Sequence, residues 1–394
     1  MAPALHLAVA LDGTGWHPAA WREPGSRPRD VLTAGYWVDL VTEAERGLLD
    51  LVTIDDTLGL QSSNLRVPDD RTDQVRGRLD AVLVAARVAP LTSRIGIVPT
   101  QVVTHTEPFH ASKAIATLDY VSTGRAGVQV RVSSRPDDAA LFGRRTMPTG
   151  LLDGSDPAAL ADLFDEAADY VEVLRRLWDS WEDDAEIRDV ATGRFIDREK
   201  LHYIDFAGRF LSVKGPSITP RPPQGQPIVA ALAHQQIPYE LVGRSADLGL
   251  VTPRDAADAA RIVGEIRSAQ AAAGRAEETV HVFGDLVVFL DDDAATARAR
   301  QNRLDQRAGA EYASDATVFV GTPSGLADLL TEWAQAGLTG FRLRPAALPH
   351  DLRQVTSGLV PELQRRGLFR TAYEATTLRG LLGLPRPANR YATV

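Results

Sequence analysis

Short apolar runs alternate with amphipathic helical stretches along the chain, about eight times over, and this alternation constrains the fold more than any other feature. The apolar runs are "LHLAVALDG" (5–13), "LLDLVTIDD" (48–56), "RIGIVPTQVV" (94–103), "RAGVQVRVSS" (125–134), "IVAALA" (228–233), "DLGLV" (247–251), "TVHVFGDLVVFL" (279–290) and "GFRLRP" (340–345). Helical spacing marks 33–47, 75–93, 108–122, 236–245, 254–273, 292–309, 324–337 and 350–366. Pro108 stands where the first turn of a helix tolerates a missing N–H. Repeated strand–helix units with short connections predict a parallel sheet with helices outside it. With about eight units, the α/β class resolves to a closed (β/α)8 TIM barrel in preference to an open, doubly wound sheet.

The alternation breaks once. Residues 135–226 hold one long helix (159–181) and a polar, Gly/Pro-rich stretch, so they read as an insertion after the fourth strand, outside the core strands. Residues 367–394 read as an irregular C-terminal tail. The chain of 394 residues is then one barrel domain, 1–394, a fold that runs longer than most single cores.

Composition narrows the partners. Apolar residues make up 44% of the chain, enough for a real core. The net charge of −9 and the lack of a Lys/Arg cluster argue against nucleic acid. With no cysteine, disulfides, thiolate metal sites and thiol nucleophiles are excluded. The N-terminus "MAPALHLAVALDGTG" lacks a basic leader and reads as the first strand, and no stretch is long and apolar enough to span a bilayer. A cytoplasmic protein without a membrane partner is expected.

Most catalytic motifs are missing: there is no P-loop, "DGTGWHP" has two glycines of a dinucleotide fingerprint and not the third, and no nucleophile elbow occurs. "HTEPFH" (105–110) contains His-x-Glu, but its cysteine partner is impossible here and His105 and His110 straddle Pro108. No metal site is expected. In a barrel, the loops after the strands converge at one face. The candidates there are Asp12–His17, Asp55–Asp56, Thr100–His105, Gln129–Ser134, Ala233–Gln235, Thr252 and Arg344. His17, between Trp16 and Trp21 in "GWHPAAW", either packs a loop or moves a proton on an oxygenated intermediate. Asp55 and Asp56 are either caps or ligand contacts; neighbours on a strand end point in opposite directions, which argues against a catalytic pair. The Thr100 hydroxyl either caps the next element or touches a ring lying over the mouth.

Several longer segments carry a resemblance. They are "GWHPAAWREPG" (15–25), "AERGLLDLVTIDD" (44–56), "RIGIVPTQVVTHTEPFHASKAIATLDYVSTGRAG" (94–127), "FDEAADYVEVLRRLWDSW" (164–181), "HYIDFAGRFLSVKGPSITPRPPQGQPIV" (202–229) and "LRGLLGLPRPANR" (378–390). In these the chain resembles the flavin-dependent luciferase-like monooxygenases, nearly end to end, and most of all the nitrilotriacetate monooxygenase type. The resemblance implies a (β/α)8 barrel, often a homodimer, with FMN bound as FMNH2 at the mouth. A separate flavin reductase supplies the reduced flavin, and O2 is used on a small organic substrate. It further implies that Asp55 or Asp56 is the acidic strand end near the flavin, that Thr100 is the family threonine, that His17 is the first-loop histidine with a proton-donating or orienting role, and that Ser133 is the serine closing the fourth strand.

Other positions depart from the family pattern. Gln129 stands where the family has Asn, and Phe164 stands in place of a phosphate-holding tyrosine. "ALAHQ" (231–235) lacks the glycine and serine of the phosphate segment, leaving Ala233, His234 and Gln235, with His234, Gln235 and Arg131 as substitute donors. These departures keep two other readings open: a non-catalytic, cofactor-poor barrel serving as a partner subunit or ligand-binding scaffold, and an oxidoreductase that uses F420.

Overall fold

The computed structural model describes residues 5–62, 69–148, 150–151 and 155–392. Eight parallel strands close into a ring. They are β1 (His6–Leu11), β2 (Leu51–Ile54), β3 (Gly96–Val102), β4 (Gly127–Arg131), β5 (Ile228–Ala233), β6 (Leu248–Val251), β7 (His281–Leu290) and β9 (Gly340–Pro345). The order runs β1 to β7 in sequence, then β9, which pairs back onto β1 through His6↔Gly340 to Val9↔Leu343. Strands buried on both faces read as near-continuous apolar runs, which is what the sequence presents.

One strand is additional. β8 (Thr317–Gly321) pairs with the far half of β7, from Leu286↔Thr317 to Leu290↔Gly321, and lies outside the ring. β7 is long enough to serve the barrel at one end and β8 at the other.

Helices α1 (Ala34–Arg46), α2 (Ala81–Val88), α3 (Pro108–Val121), α6 (Gln236–Ser245), α7 (Ala256–Ala272), α8 (Ala294–Ala308) and α9 (Pro323–Gln335) follow the strands. Their starts are chemically marked. Asp80, Asp255, Asp293 and Thr322 each accept a main-chain N–H of the first turn. The insertion carries α4 (Pro136–Phe142), the long α5 (Pro157–Asp179) and two small antiparallel pairs, Glu186–Asp189 with Arg194–Ile196 and Phe206–Ala207 with Ser212–Val213.

The tail has one helical turn, Leu378–Leu381, and otherwise follows an irregular path. It is nevertheless part of the core. Leu378, Leu382 and Leu384 bury against Ala8, Val98, Ile228 and Phe283, sealing the N-terminal end of the barrel with hydrocarbon. A side chain on Gly96 would strike Leu378. The corner "STGRAG" is structural too. Thr123 and Gly124 take positive φ, and the buried Arg125 spends its guanidinium on Ser122 O, Thr92 O, Ala89 O, Ile95 O and the Thr92 hydroxyl.

Candidate functional site

The two ends of the barrel differ in chemistry. At the N-terminal end the lumen is filled with hydrocarbon, whereas at the C-terminal end a chain of buried polar groups crosses it. Period two along a strand puts Arg342 and Arg344 of β9 on one face, and both are buried. Opposite Arg342 in the register stands Asp285 of β7, fully buried; Arg342 Nε donates to it at 2.8 Å. Arg344 donates to the same carboxylate from Nε at 3.0 Å and from Nη2 at 2.5 Å. On its other side Arg342 Nη1 donates to Gln129 Oε1 at 2.6 Å and to the Thr53 hydroxyl at 3.3 Å. Gln129, completely buried, passes the chain on from Nε2 to Thr100 Oγ1 at 3.0 Å. Thr100 and Gln129 are register partners on β3 and β4.

Toward solvent the chain continues. Arg344 Nη1 donates to Asp315 at 2.6 Å, Asp315 lies 3.4 Å from His234 Nε2, and His234 Nδ1 meets the Thr252 hydroxyl at 3.0 Å. The indole of Trp16 covers the Arg344 guanidinium, 4.7 Å from the ring centre. Burial works against the Arg344 charge, yet Asp285 and Asp315 outweigh it and hold its pKa above the ordinary arginine range. Every member of this chain has a partner, which makes it a stiff floor.

A second charged group rings the ends of β1, β2 and β4. Arg78 Nη2 donates to both oxygens of Asp12 at 2.8 Å, and its Nη1 lies 3.4 Å from Asp55. Arg131 reaches Asp55 at 3.3 Å and the Asp56 carbonyl at 2.9 Å. Asp56 turns away from Asp55 and accepts from the main-chain N–H groups of Ala81 and Thr57. Burial raises its pKa against those bonds.

The sequence candidates are spread over the mouth and beyond it. Thr100, Gln129 and Arg344 are brought together in the floor. Asp55 and Arg131 stand beside it. Ala233 is buried at the end of β5, while His234 and Gln235 are exposed at the start of α6. Gln235 makes no capping bond, and no acidic side chain lies in that first turn. Ser133 Oγ donates to Asp138 Oδ2 at 2.6 Å, and its main-chain N–H meets the Thr104 hydroxyl. Phe164 packs, half-buried, against the main core from α5.

His17 points away from the lumen. Its ring is 1% exposed and lies beside Tyr312 and Phe289. The Ala19 N–H donates to Nδ1 at 3.1 Å, so Nε2 carries the hydrogen and donates to Asp305 of α8 at 3.1 Å. Burial lowers its pKa despite that carboxylate. The preceding loop is held by Gly15, whose φ of +129° and approach to Ala346 O leave no space for a side chain. Sequence reading did not find Thr53, Arg78, Asp285, Asp315 or Arg342. Asp285, alone in the middle of an otherwise apolar strand, and the Arg-x-Arg of "GFRLRP" were the available signals.

Comparison with known proteins fits this geometry. A family model described as luciferase-like monooxygenase matches residues 14–316. The chain is 30% identical to N-acetyl-S-(2-succino)cysteine monooxygenase of Bacillus subtilis (strain 168), over 98% of each chain. It is 27% identical to nitrilotriacetate monooxygenase component A of Aminobacter aminovorans, again over 98% of each. In fold it is similar to a long-chain alkane monooxygenase, with a TM-score of 0.83 at 22% identity, over 97% of this chain and 96% of that one. The alignment to the first relative is longer than the chain, 452 positions against 394 residues, so that relative carries segments this chain lacks.

Proposed function

The chain belongs to the luciferase-like monooxygenase family, and from that premise we propose that it is the oxygenase of a two-component system that receives reduced FMN from a separate reductase. It is an enzyme of the monooxygenase class. The family match supports the reading most directly, because its span runs through six of the eight barrel strand ends that build the mouth.

The residues present fit the cofactor. The phosphate needs converging donors, and His234, Gln235 and the uncapped first N–H groups of α6 offer them at an exposed helix start whose own first turn carries no acidic side chain, with Asp315 orienting His234 from 3.4 Å. The ring system needs a flat, preorganised support, and Thr100, Gln129 and Arg342 supply it, with Asp55 beside it, while the Ser133 hydroxyl is committed to Asp138. Phe164 contributes packing alone. Bound there in its reduced form, FMN supplies the two electrons with which dioxygen is divided between the substrate and water. His17 fixes the first loop against α8 and so keeps Trp16 over Arg344.

The test supplies the protein with FMN, NADH, a flavin reductase and isotopically labelled dioxygen, together with a library of small organic molecules. Label in an organic product supports the reading. Turnover that needs F420 and no oxygen replaces it with the hydride-transfer alternative.

A further inference from the structure

Buried side-chain polar atoms without a hydrogen-bond partner are few among the described residues, and they are not scattered. Gln61 Oε1, Gln74 Nε2, Arg78 Nε, His105 Nε2, Arg135 Nε and Asp138 Oδ1 all lie on the connections after β2, β3 and β4, at the C-terminal face. The other, Gln226 Oε1, precedes β5 at the opposite end. A buried polar group left without a partner costs free energy that folding alone does not return. Its concentration in one sector of the mouth points to a ligand.

Two of these residues, His105 and Asp138, interact electrostatically. Asp138 is 2% exposed and His105 7%. Ser133 occupies one oxygen of Asp138 and leaves Oδ1 free. The main chain at Gly59 covers that oxygen without donating to it; a methyl group on the Gly59 α-carbon would stand 3.1 Å away. Phe142, one helical turn after Asp138 on α4, stacks on the His105 ring at 5.4 Å and 20°. The two other buried histidines, His17 and His281, have both ring nitrogens bonded. Burial, and then Arg145, lower the His105 pKa against the pull of Asp138, so the ring is neutral and can accept a hydrogen or donate one.

We propose that His105 and Asp138 are specificity-determining residues, and that they select a small polar substrate carrying an N–H or O–H donor over a hydrocarbon or a thioether. The substrate hydrogen is accepted by Asp138 Oδ1, with His105 Nε2 beside it, once the Gly59 main chain moves off that oxygen. The inference rests on the proposed function only in taking the occupant to be the enzyme's substrate.

The test needs no flavin. Protein labelled at its histidines is titrated with ethanolamine, and with dimethoxyethane as a donor-free counterpart, while the His105 imidazole nitrogens are followed by NMR. Ethanolamine is expected to give a saturable shift and dimethoxyethane none, and Asp138→Asn is expected to weaken ethanolamine about tenfold or more. His105→Gln, read by calorimetry, serves as the second variant should Asp138→Asn fail to fold. An equal response to both probes, no saturable response to either, or unchanged affinity in the variants overturns the proposal. Titration of the same preparations with reduced FMN separates the two readings. Flavin binding without ethanolamine binding removes the subsite and leaves the flavin, and the converse removes the flavin and leaves the subsite.

Discussion

Replacing Arg342 by Met and Gln129 by Leu, singly and together, measures the cohesion of the polar floor. Arg342→Met takes one of two arginines from a fully buried Asp285 and orphans Gln129 Oε1. Breaking a buried ion pair from one side costs about 3–5 kcal/mol, and the retained Arg344 places this case near 3. Gln129→Leu strands one Arg342 N–H and the Thr100 hydroxyl, about 1–3 kcal/mol. The shared bond is short and charged, and such a bond is worth about 1.5–3 kcal/mol, so the double variant is expected to lose less than the sum of the singles by roughly 1–2 kcal/mol. Urea unfolding followed by tryptophan fluorescence reads all four corners of the cycle, using the six native tryptophans. Additivity within about 0.5 kcal/mol would refute the connected floor, because independent sites add to that tolerance.

Three further outcomes follow from single contacts. His17→Ala is expected to destabilise the protein by about 2–4 kcal/mol while turnover per folded molecule persists, since the ring fills a buried site against α8; lost turnover at an unchanged melting temperature would return His17 to proton transfer. Burial lowers the His281 pKa from 6.5 to about 4, so its contribution is complete above pH 6.5 and is lost as the unfolded chain takes the proton first on acidification. That amounts to about 3 kcal/mol across the window from the cost per pKa unit, and His281→Gln is expected to flatten this part of the stability–pH curve. Arg125→Met leaves several buried carbonyls without a donor and is expected to cost at least about 3 kcal/mol by thermal or urea unfolding.

The barrel was legible because doubly buried parallel strands write themselves as apolar runs, and helix caps punctuate what lies between. β8 was not, since "TVFVG" is short and finds its partner only where β7 outruns the ring. "LRGLLGLP" advertised its leucines, yet only closure of the barrel shows that they seal its lower end. "GFRLRP" placed two arginines on one face; that they meet Asp285 depends on the register between β7 and β9. "GWHP" located His17 in the first loop, but the side toward which its ring turns is set by Asp305, 288 residues away. Asp138 carried no local mark at all. Its significance is a missing partner, which a sequence does not record.

Anaerobic titration of the purified protein with FMNH2, alongside oxidised FMN and F420, tests the central claim most directly. Saturable FMNH2 binding in the micromolar range, weakened by Gln129→Leu and left intact by His17→Ala, is the predicted result. Failure to bind FMNH2, or tighter binding of F420, would contradict it.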